Sequence, residues 1–306
     1  MIPSAVVNQV EFIRFKVTWL IDDEVLLPEY ALLRLRRELK RASLLLTDDD
    51  RERFNSLVQP PVATDLPTAH QWPSPPPAFV LHPPVGSCQL QAGDELSILG
   101  TMWGRGIESF GALVKLFDAL GESGLFFGMG HGQLLSVEVY QADGSVQSVA
   151  GEKVNLGELP RQTLEWYLQQ QPYSPRWQMQ WLTPGRFLVG RRPMFRPSLD
   201  KIVPLIFRRI AGILACHCGI ELENVGIQLP SLPNEGMSVG CHWRDWRCLD
   251  QEGRTVDLGG VLGTWEFDAL DVESWLWVLQ VGQLCNVGKG SPFGAGQYLL
   301  KPLDGT

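Results

Sequence analysis

CNVGKGSPFGAGQYLL, residues 285–300, is a glycine-rich segment that carries a single lysine. The residues before it, 271–285, have the apolar spacing of an amphipathic helix, and QYLLKPL at 297–303 has the composition of a strand. The same order of helix, glycine-rich turn and hydrophobic strand occurs at 120–139, in LGESGLFFGMGHGQLLSVEV. Two such occurrences indicate two copies of one small α+β unit.

Hydrophobic periodicity over the rest of the chain fits this repeat. Strands are predicted at 10–21, 94–103, 134–141, 185–192, 237–247, 259–268 and 297–303. Helices are predicted at 28–46, 109–121, 198–219 and 271–285, and a proline-dense extended crossing at 59–84. A β-α-β-β-α-β plan of this size is ferredoxin-like. We therefore predict an α+β fold of two tandem ferredoxin-like domains, at 1–150 and 184–306, with a polar connector at 151–183.

Composition is typical of a globular protein, with 44% hydrophobic and 20% charged residues. The N-terminal residues do not have the apolar core of a signal peptide, and no run approaches the ~18 apolar residues of a membrane span. We therefore expect a cytoplasmic protein with reduced thiols and no membrane partner. Because the net charge is −8, any nucleic-acid site must be a local basic patch.

The glycine-rich segment does not have the spacing of a nucleotide loop. A P-loop requires an earlier glycine before the Gly-Lys pair and Ser or Thr after the lysine, whereas Gly290 follows Lys289. A dinucleotide fingerprint follows a strand and opens a helix, which is the reverse of the order predicted here. Two interpretations are left. The glycines and the lysine bind phosphate, or the segment is a tight connection between a helix and a strand.

NVGKGSPFGAG, residues 286–296, resembles the C-terminal glycine-rich loop of the RAMP superfamily. The pattern there is Gly-hydrophobic-Gly, five residues including a basic one, then Gly-hydrophobic-Gly. Asn286 departs from this pattern at the first glycine. The matching residues are Val287, Gly288, Lys289, Gly294, Ala295 and Gly296.

Within the superfamily, the chain most resembles the CRISPR-associated endoribonucleases that process precursor CRISPR RNA. GGVLGTWEF (259–267), PPPAFVLHPP (75–84) and GMGHGQLLSVEV (128–139) are also similar to those proteins. The resemblance implies two tandem ferredoxin-like (RRM-like) domains. It also implies cleavage of the CRISPR repeat without metal or cofactor, by 2′-hydroxyl attack giving a 2′,3′-cyclic phosphate. The implied partners are precursor and mature CRISPR RNA, and subunits of a CRISPR effector complex.

Two further functions stay open. The chain could be a RAMP subunit that binds RNA without cutting it, since the first helix lacks the histidine found there in many family members. It could also be an unrelated ferredoxin-like protein, which the acidic pI of about 5.2 favours.

Basic residues concentrate on the first helix, at 186–209, in HWRDWR (242–247) and at the glycine-rich loop. Such clusters are typical of RNA-binding surfaces and also of solvated helix faces or strands with one tryptophan face in the core. The RNA-binding candidates are Arg34, Arg37, Arg41, Arg191, Arg192, Arg244, Arg247, Gly288, Lys289, Gly290, Ser291, Gly294 and Gly296.

The catalytic candidates are His131 in the first glycine-rich turn, and Tyr30 and Lys40 on the first helix. A loop can present a histidine to RNA, and tyrosine or lysine can act where histidine is absent. A structural zinc at the cysteine and histidine residues between 216 and 248 is the alternative use of those side chains. Their C-x-C and C-x6-C spacings fit zinc poorly, so no metal is expected.

Overall fold

The computed structural model describes residues 8–64, 66–149, 156–190, 192–224, 226–227, 237–245, 247–249, 255–257, 259–269 and 273–303. No helix in these ranges is long and apolar enough to cross a membrane.

The first unit contains a twisted antiparallel sheet with helices on one face. Its strands are β1 (Glu11–Ile21), β2 (Val25–Leu27), β3 (Phe79–His82), β4 (Cys88–Leu90), β5 (Glu95–Trp103), β6 (Gly132–Tyr140), β7 (Val146–Ser148) and β8 (Gln162–Thr163). Its helices are α1 (Leu35–Ala42), α2 (Asp48–Val58), α3 (Leu66–Gln71) and α4 (Phe110–Ser123). The main sheet has the order β3-β5-β1-β6-β7, with β8 also paired to β1, and β2 and β4 form a separate two-stranded antiparallel sheet.

The second unit has the same plan. After α5 (Leu164–Gln169), its elements are β9 (Arg176–Trp181), β10 (Leu188–Val189), β11 (Arg192–Pro193), α6 (Leu199–Ile213), β12 (Met237–Arg244), β13 (Arg247–Leu249), β14 (Thr255–Asp257), β15 (Gly260–Asp268), α7 (Leu276–Gly282) and β16 (Tyr298–Pro302). Its main sheet has the order β12-β15-β9-β16.

Both main sheets place the second, third, first and fourth strand of their unit side by side. This is the order of the β-α-β-β-α-β unit, so the prediction of two tandem ferredoxin-like folds is confirmed.

Alternation along β1 explains how the two cores meet. Ile13, Phe15, Val17 and Trp19 point into the first core, where the Trp19 indole Nε1 donates to the Phe117 carbonyl at 2.9 Å. Phe12, on the opposite face, belongs to the second core and packs on Trp103 with ring centroids 5.0 Å apart. One strand therefore contributes to both hydrophobic cores.

Several predicted elements were wrong. The predicted strand at 185–192 is the short hairpin β10–β11, whose Leu188 and Val189 are exposed. The strand that pairs with β15 and β16 is β9, within the stretch predicted to be a connector. Polar glutamines at 178 and 180 concealed the inward alternation of Trp177, Met179 and Trp181. The predicted domain boundaries themselves stay a prediction.

The first helix begins later than predicted, and the proline-dense crossing is not wholly extended. Tyr30 has φ 61°, so residues 31–34 form a 3₁₀ turn before α1. The crossing contains the short helix α3, whose Thr68 hydroxyl donates to Glu221 of the second unit at 2.6 Å.

Two histidines make the fold sensitive to acid. The surrounding protein lowers the pKa of His82 from 6.5 to about 4 and lowers the pKa of His217, mainly by desolvating the imidazolium. In the unfolded chain these imidazoles take up protons at higher pH than in the folded protein. Their contribution to the free energy of unfolding is therefore full above about pH 6.5 and decreases as the pH falls toward 4.

We therefore expect the free energy of unfolding to be lower at pH 5 than at pH 7 in urea titrations, and the decrease to be smaller in His82→Gln. His70→Gln, at an exposed position on α3, should show the wild-type decrease. An equal decrease in His82→Gln and wild type would contradict the assignment to His82.

Candidate nucleic-acid interface

The backbone of the glycine-rich loop between α7 and β16 takes up left-handed conformations at four glycines and one asparagine. Gly288, Gly290, Gly294 and Gly296 all have positive φ, between 67° and 100°. At Gly288 a Cβ would lie 2.8 Å from the Arg186 carbonyl oxygen, so a larger residue would be strained. Asn286 has φ 50°, a left-handed conformation that asparagine tolerates, which explains its presence at a position where the superfamily pattern has glycine.

The inner side of this loop is anchored to the first unit. Asn286 is fully buried, and its Nδ2 donates to the carbonyls of Leu81 in β3 and Ser291 in the loop, both at 3.2 Å. The Phe293 ring meets Phe79 of β3 edge to face, with centroids 5.6 Å apart. The loop therefore joins the two units, which the sequence does not predict.

Only one edge of the loop faces solvent. Lys289 and Gly290 are exposed and Gly288 is partly exposed. Ser291, Gly294 and Gly296 are buried, so the RNA contacts predicted for these three residues are not available at the surface. The Lys289 amide donates to the Arg186 carbonyl at 3.0 Å, which fixes the exposed edge.

Two of the arginines predicted to bind RNA hold α1 against the first glycine-rich turn instead. Arg34 is 4% exposed, and its guanidinium carbon lies 3.6 Å from the centroid of the Phe127 ring. Arg41 Nη2 donates to the carbonyls of Ser123 and Gly124, both at 2.7 Å. These cations are used within the fold, whereas Lys40 is exposed and Arg37 is partly exposed.

The other predicted basic contacts are spread over the second unit. Arg192 is exposed on the β10–β11 hairpin. Arg244 is exposed at the end of β12, and its Nη2 lies 3.0 Å from the Glu29 Oε2 of the first unit. Arg191 and the side chain of Arg247 lie outside the described residues.

Tyr30 lies next to the glycine-rich loop. It is 6% exposed and packs with Leu33 and Ala295. Burial, and then the neighbouring Glu29, raise the pKa of its phenol to about 12, against a smaller lowering effect of Arg244. Tyr30 is therefore protonated at neutral pH and can donate a hydrogen bond but not act as a base.

His131 lies in the first glycine-rich turn and is held by Asp23. Its Nδ1 is 2.9 Å from Asp23 Oδ2, and its amide donates to Asp23 Oδ1 at 2.6 Å. The same contacts lower the pKa of the Asp23 carboxyl, so it is ionised at neutral pH. In the described part of the chain, the other ring nitrogen, Nε2, makes no hydrogen bond, and 45% of the side chain is exposed.

The structure thus brings Tyr30, Arg244 and the glycine-rich loop together. Among the described residues, no hydrogen bond or ion pair joins His131 to Tyr30 or Lys40. Sequence reasoning missed Asp23 and Glu29, which the fold places beside His131 and Arg244. The acidic turn DDE directly after β1 was the one available signal for Asp23.

The cysteines and histidines considered for zinc between 216 and 248 include Cys248, whose side chain lies outside the described residues. Within the ranges that the structure describes, no three His, Cys, Asp or Glu side chains are grouped as metal ligands.

Comparisons with known families agree with this arrangement. The family model described as CRISPR-associated endoribonuclease Cas6 matches residues 179–298, which include α6, β15 and the whole glycine-rich loop. The second unit is therefore similar to the Cas6 family. A second family model, described as an N-terminal domain, matches residues 10–162, the first ferredoxin-like unit. No curated protein sequence matches the chain.

Solved Cas6 structures have the same fold. The Cas6 of Thermus thermophilus matches with a TM-score of 0.54 and 13% identity, over 95% of this chain and 99% of that one. A Cas6 product complex matches with a TM-score of 0.53 and 15% identity, with the same coverage of both chains. A partial Cas6-RT-Cas1–Cas2 complex matches with a TM-score of 0.54 and 16% identity, over 95% of this chain. This chain spans only 46% of the length of the matched chain in that complex, and 29% of the matched chain in a second Cas6-RT-Cas1–Cas2 complex.

Proposed function

We propose that the protein binds CRISPR repeat RNA and cleaves precursor CRISPR RNA within it. The observation that carries this proposal is the match to the Cas6 endoribonuclease family across the second unit and its glycine-rich loop. The exposed Lys289 at the loop edge gives this acidic protein a local cation for phosphate. The mature product and the subunits of a CRISPR effector complex are the proposed partners.

The proposed reaction is a metal-independent transesterification. The ribose 2′-oxygen attacks the adjacent phosphorus, a bond forms between them, and the bond from phosphorus to the 5′-oxygen breaks. The 2′-hydroxyl proton passes to a general base, and the departing 5′-oxygen receives a proton from a general acid. The products are a 2′,3′-cyclic phosphate and a 5′-hydroxyl, with no change of oxidation state.

Each candidate side chain suits one part of this reaction. His131 can transfer a proton at Nε2 while Asp23 holds Nδ1 and stabilises the imidazolium. Tyr30 can donate a hydrogen bond from its phenol to a phosphate oxygen, because its pKa is about 12. Lys40 and Lys289 are exposed cations that can balance the extra charge of the crowded phosphate.

Cleavage of a labelled repeat RNA in EDTA tests this function. One substrate carries ribose at the cleavage junction and its control carries 2′-deoxyribose there. Cutting of the ribose substrate alone, with a 2′,3′-cyclic phosphate on the product, supports the proposal. Loss of cutting in EDTA, restored by excess Mg²⁺, would contradict the metal-independent reaction.

The alternative is an RNA-binding subunit that does not cut. It is favoured by the lack of a histidine on α1 and by the burial of Tyr30. Tight binding of the repeat with no cutting of either substrate would support this alternative.

Lys289→Glu should weaken binding of repeat RNA by about ten- to hundredfold, because it removes an attraction to phosphate and adds a repulsion. Lys301→Glu is the matched control, because Lys301 is exposed on β16 and hydrogen-bonded to Gln180. The measurement is the Kd at moderate and high salt, and the difference should shrink as salt rises. Equal affinity of Lys289→Glu and wild type at moderate salt would mean that the loop is only a structural turn.

A further inference from the structure

An open cleft of about 400 Å³ lies directly behind the exposed edge of the glycine-rich loop. Four segments form its walls, and they come from both units: residues 71–76, 186–188, 205–212 and 287–289. Its volume is within the ~300–1,000 Å³ typical of ligand sites.

The cleft is strongly positive. Its lining includes four cationic side chains and no carboxylate, and these are Arg186, Arg208, Arg209 and Lys289. A concave surface of one charge sign concentrates the electrostatic field, so it attracts anions even though the chain has a net charge of −8.

Arg209 lines this cleft, and one of its guanidinium donors has no acceptor in the described part of the chain. Its Nε donates to the Cys285 carbonyl at 3.4 Å, and its Nη2 is buried without a hydrogen-bond partner in the described part of the chain. Arg209 therefore contributes its positive charge to the cleft that it lines.

Trp72 supplies an apolar wall beside these cations. Its ring lies against α6 at Gly212, where a Cβ would be 2.9 Å from the ring. The Arg208 guanidinium carbon lies 6.0 Å from the Trp72 ring centroid, and Arg208 is exposed. An aromatic wall next to arginines suits a nucleotide, because the base or sugar contacts the ring while the phosphate meets the cations.

We propose that this cleft binds a single-stranded RNA segment that flanks the repeat, with a phosphate on Arg208 and Arg209 and a base or sugar against Trp72. This proposal rests on the RNA binding proposed above. Lys289 belongs both to the loop edge and to the cleft, so the two surfaces form one continuous path. Unpaired bases can lie against an aromatic side chain in this way, whereas the bases of a base-paired helix are stacked inside it.

The test compares repeat RNA alone with repeat RNA carrying a short unpaired extension at its 5′ or its 3′ end. Kd values are measured over a salt series for wild type, Arg208→Gln and Arg176→Gln. Arg176 is the matched control, because its guanidinium lies 3.8 Å from Glu266 and 3.6 Å from Asp268, away from the cleft lining. Arg208 is exposed, so its replacement should leave the fold intact.

In wild type and Arg176→Gln, an extension at one end at least should tighten binding. Arg208→Gln should reduce that gain by about tenfold and lower the salt slope for extended RNA by about 0.7, the value for one phosphate contact to a single strand. The affinity for repeat RNA alone should be the same in all three proteins.

The proposal is overturned when neither extension tightens binding, or when Arg208→Gln retains the whole gain. Failure of wild type to bind repeat RNA alone would instead overturn the proposed function. Short unpaired RNA without a repeat is measured on the same three proteins. Binding of this RNA that Arg208→Gln weakens would still support the cleft, and binding that it leaves unchanged, or no binding, would count against it.

Discussion

Replacement of His131 by alanine is expected to slow cleavage of repeat RNA by about 100- to 10,000-fold, the usual contribution of a positioned general acid or base. The expected decrease is large because Asp23 fixes the ring through Nδ1 at 2.9 Å and leaves Nε2 available for proton transfer. The measurement is the single-turnover cleavage rate at saturating protein, which separates chemistry from binding. The Kd for repeat RNA should stay close to that of wild type.

Two further variants sharpen this result. Asp23→Asn should also slow cleavage, because it removes the carboxylate that holds the imidazole through Nδ1. His70→Ala replaces an exposed histidine on α3 and should cut at the wild-type rate. A wild-type cleavage rate in His131→Ala would exclude His131 from the reaction and direct attention to Tyr30 and Lys40.

Phe293→Ala is expected to lower the free energy of unfolding by about 3–5 kcal/mol, the range for removing a buried aromatic ring. Phe293 is 5% exposed and packs edge to face on Phe79 of β3. Because the ring belongs to the core of the first unit although the residue lies in the loop of the second, its removal should also weaken the packing between the units. Urea unfolding monitored by tryptophan fluorescence measures the effect.

Tyr173→Ala serves as the control for this change, since Tyr173 is 89% exposed and its removal should change stability by less than about 0.5 kcal/mol. A similarly small change in Phe293→Ala would show that the loop does not depend on its packing against β3.

The repeat of helix, glycine-rich turn and strand, together with the hydrophobic periodicity of the other elements, predicted the two ferredoxin-like units. The strand predicted at 10–21 is β1 at Glu11–Ile21, and the helix predicted at 109–121 is α4 at Phe110–Ser123. Both have strong apolar periodicity, so the local signal and the tertiary packing agree. At β9, the outward-facing glutamines made a central strand resemble a linker, and only its pairing with β15 and β16 reveals it.

The site was less predictable, because the sequence does not show whether a charged side chain makes contacts inside the protein or is available to a ligand. Arg34 and Arg41 look in the sequence like residues of an RNA-binding helix, yet ring and carbonyl contacts with the first glycine-rich turn occupy them. The cleft cations Arg208 and Arg209 follow each other on α6, and only the folded chain brings Trp72 and Lys289 to them. Contacts between distant segments of this kind leave no trace in local sequence patterns.

The anchoring of the glycine-rich loop has a consequence for dividing the protein. A fragment containing only the second unit would lack β3, so Asn286 would have no Leu81 acceptor and Phe293 would be exposed to water. Such a half should aggregate when produced alone and become soluble when the first half is produced with it. The loop would then hold the two halves of a split protein together through its contacts with β3. Recovery of RNA binding would show that the halves have reassembled.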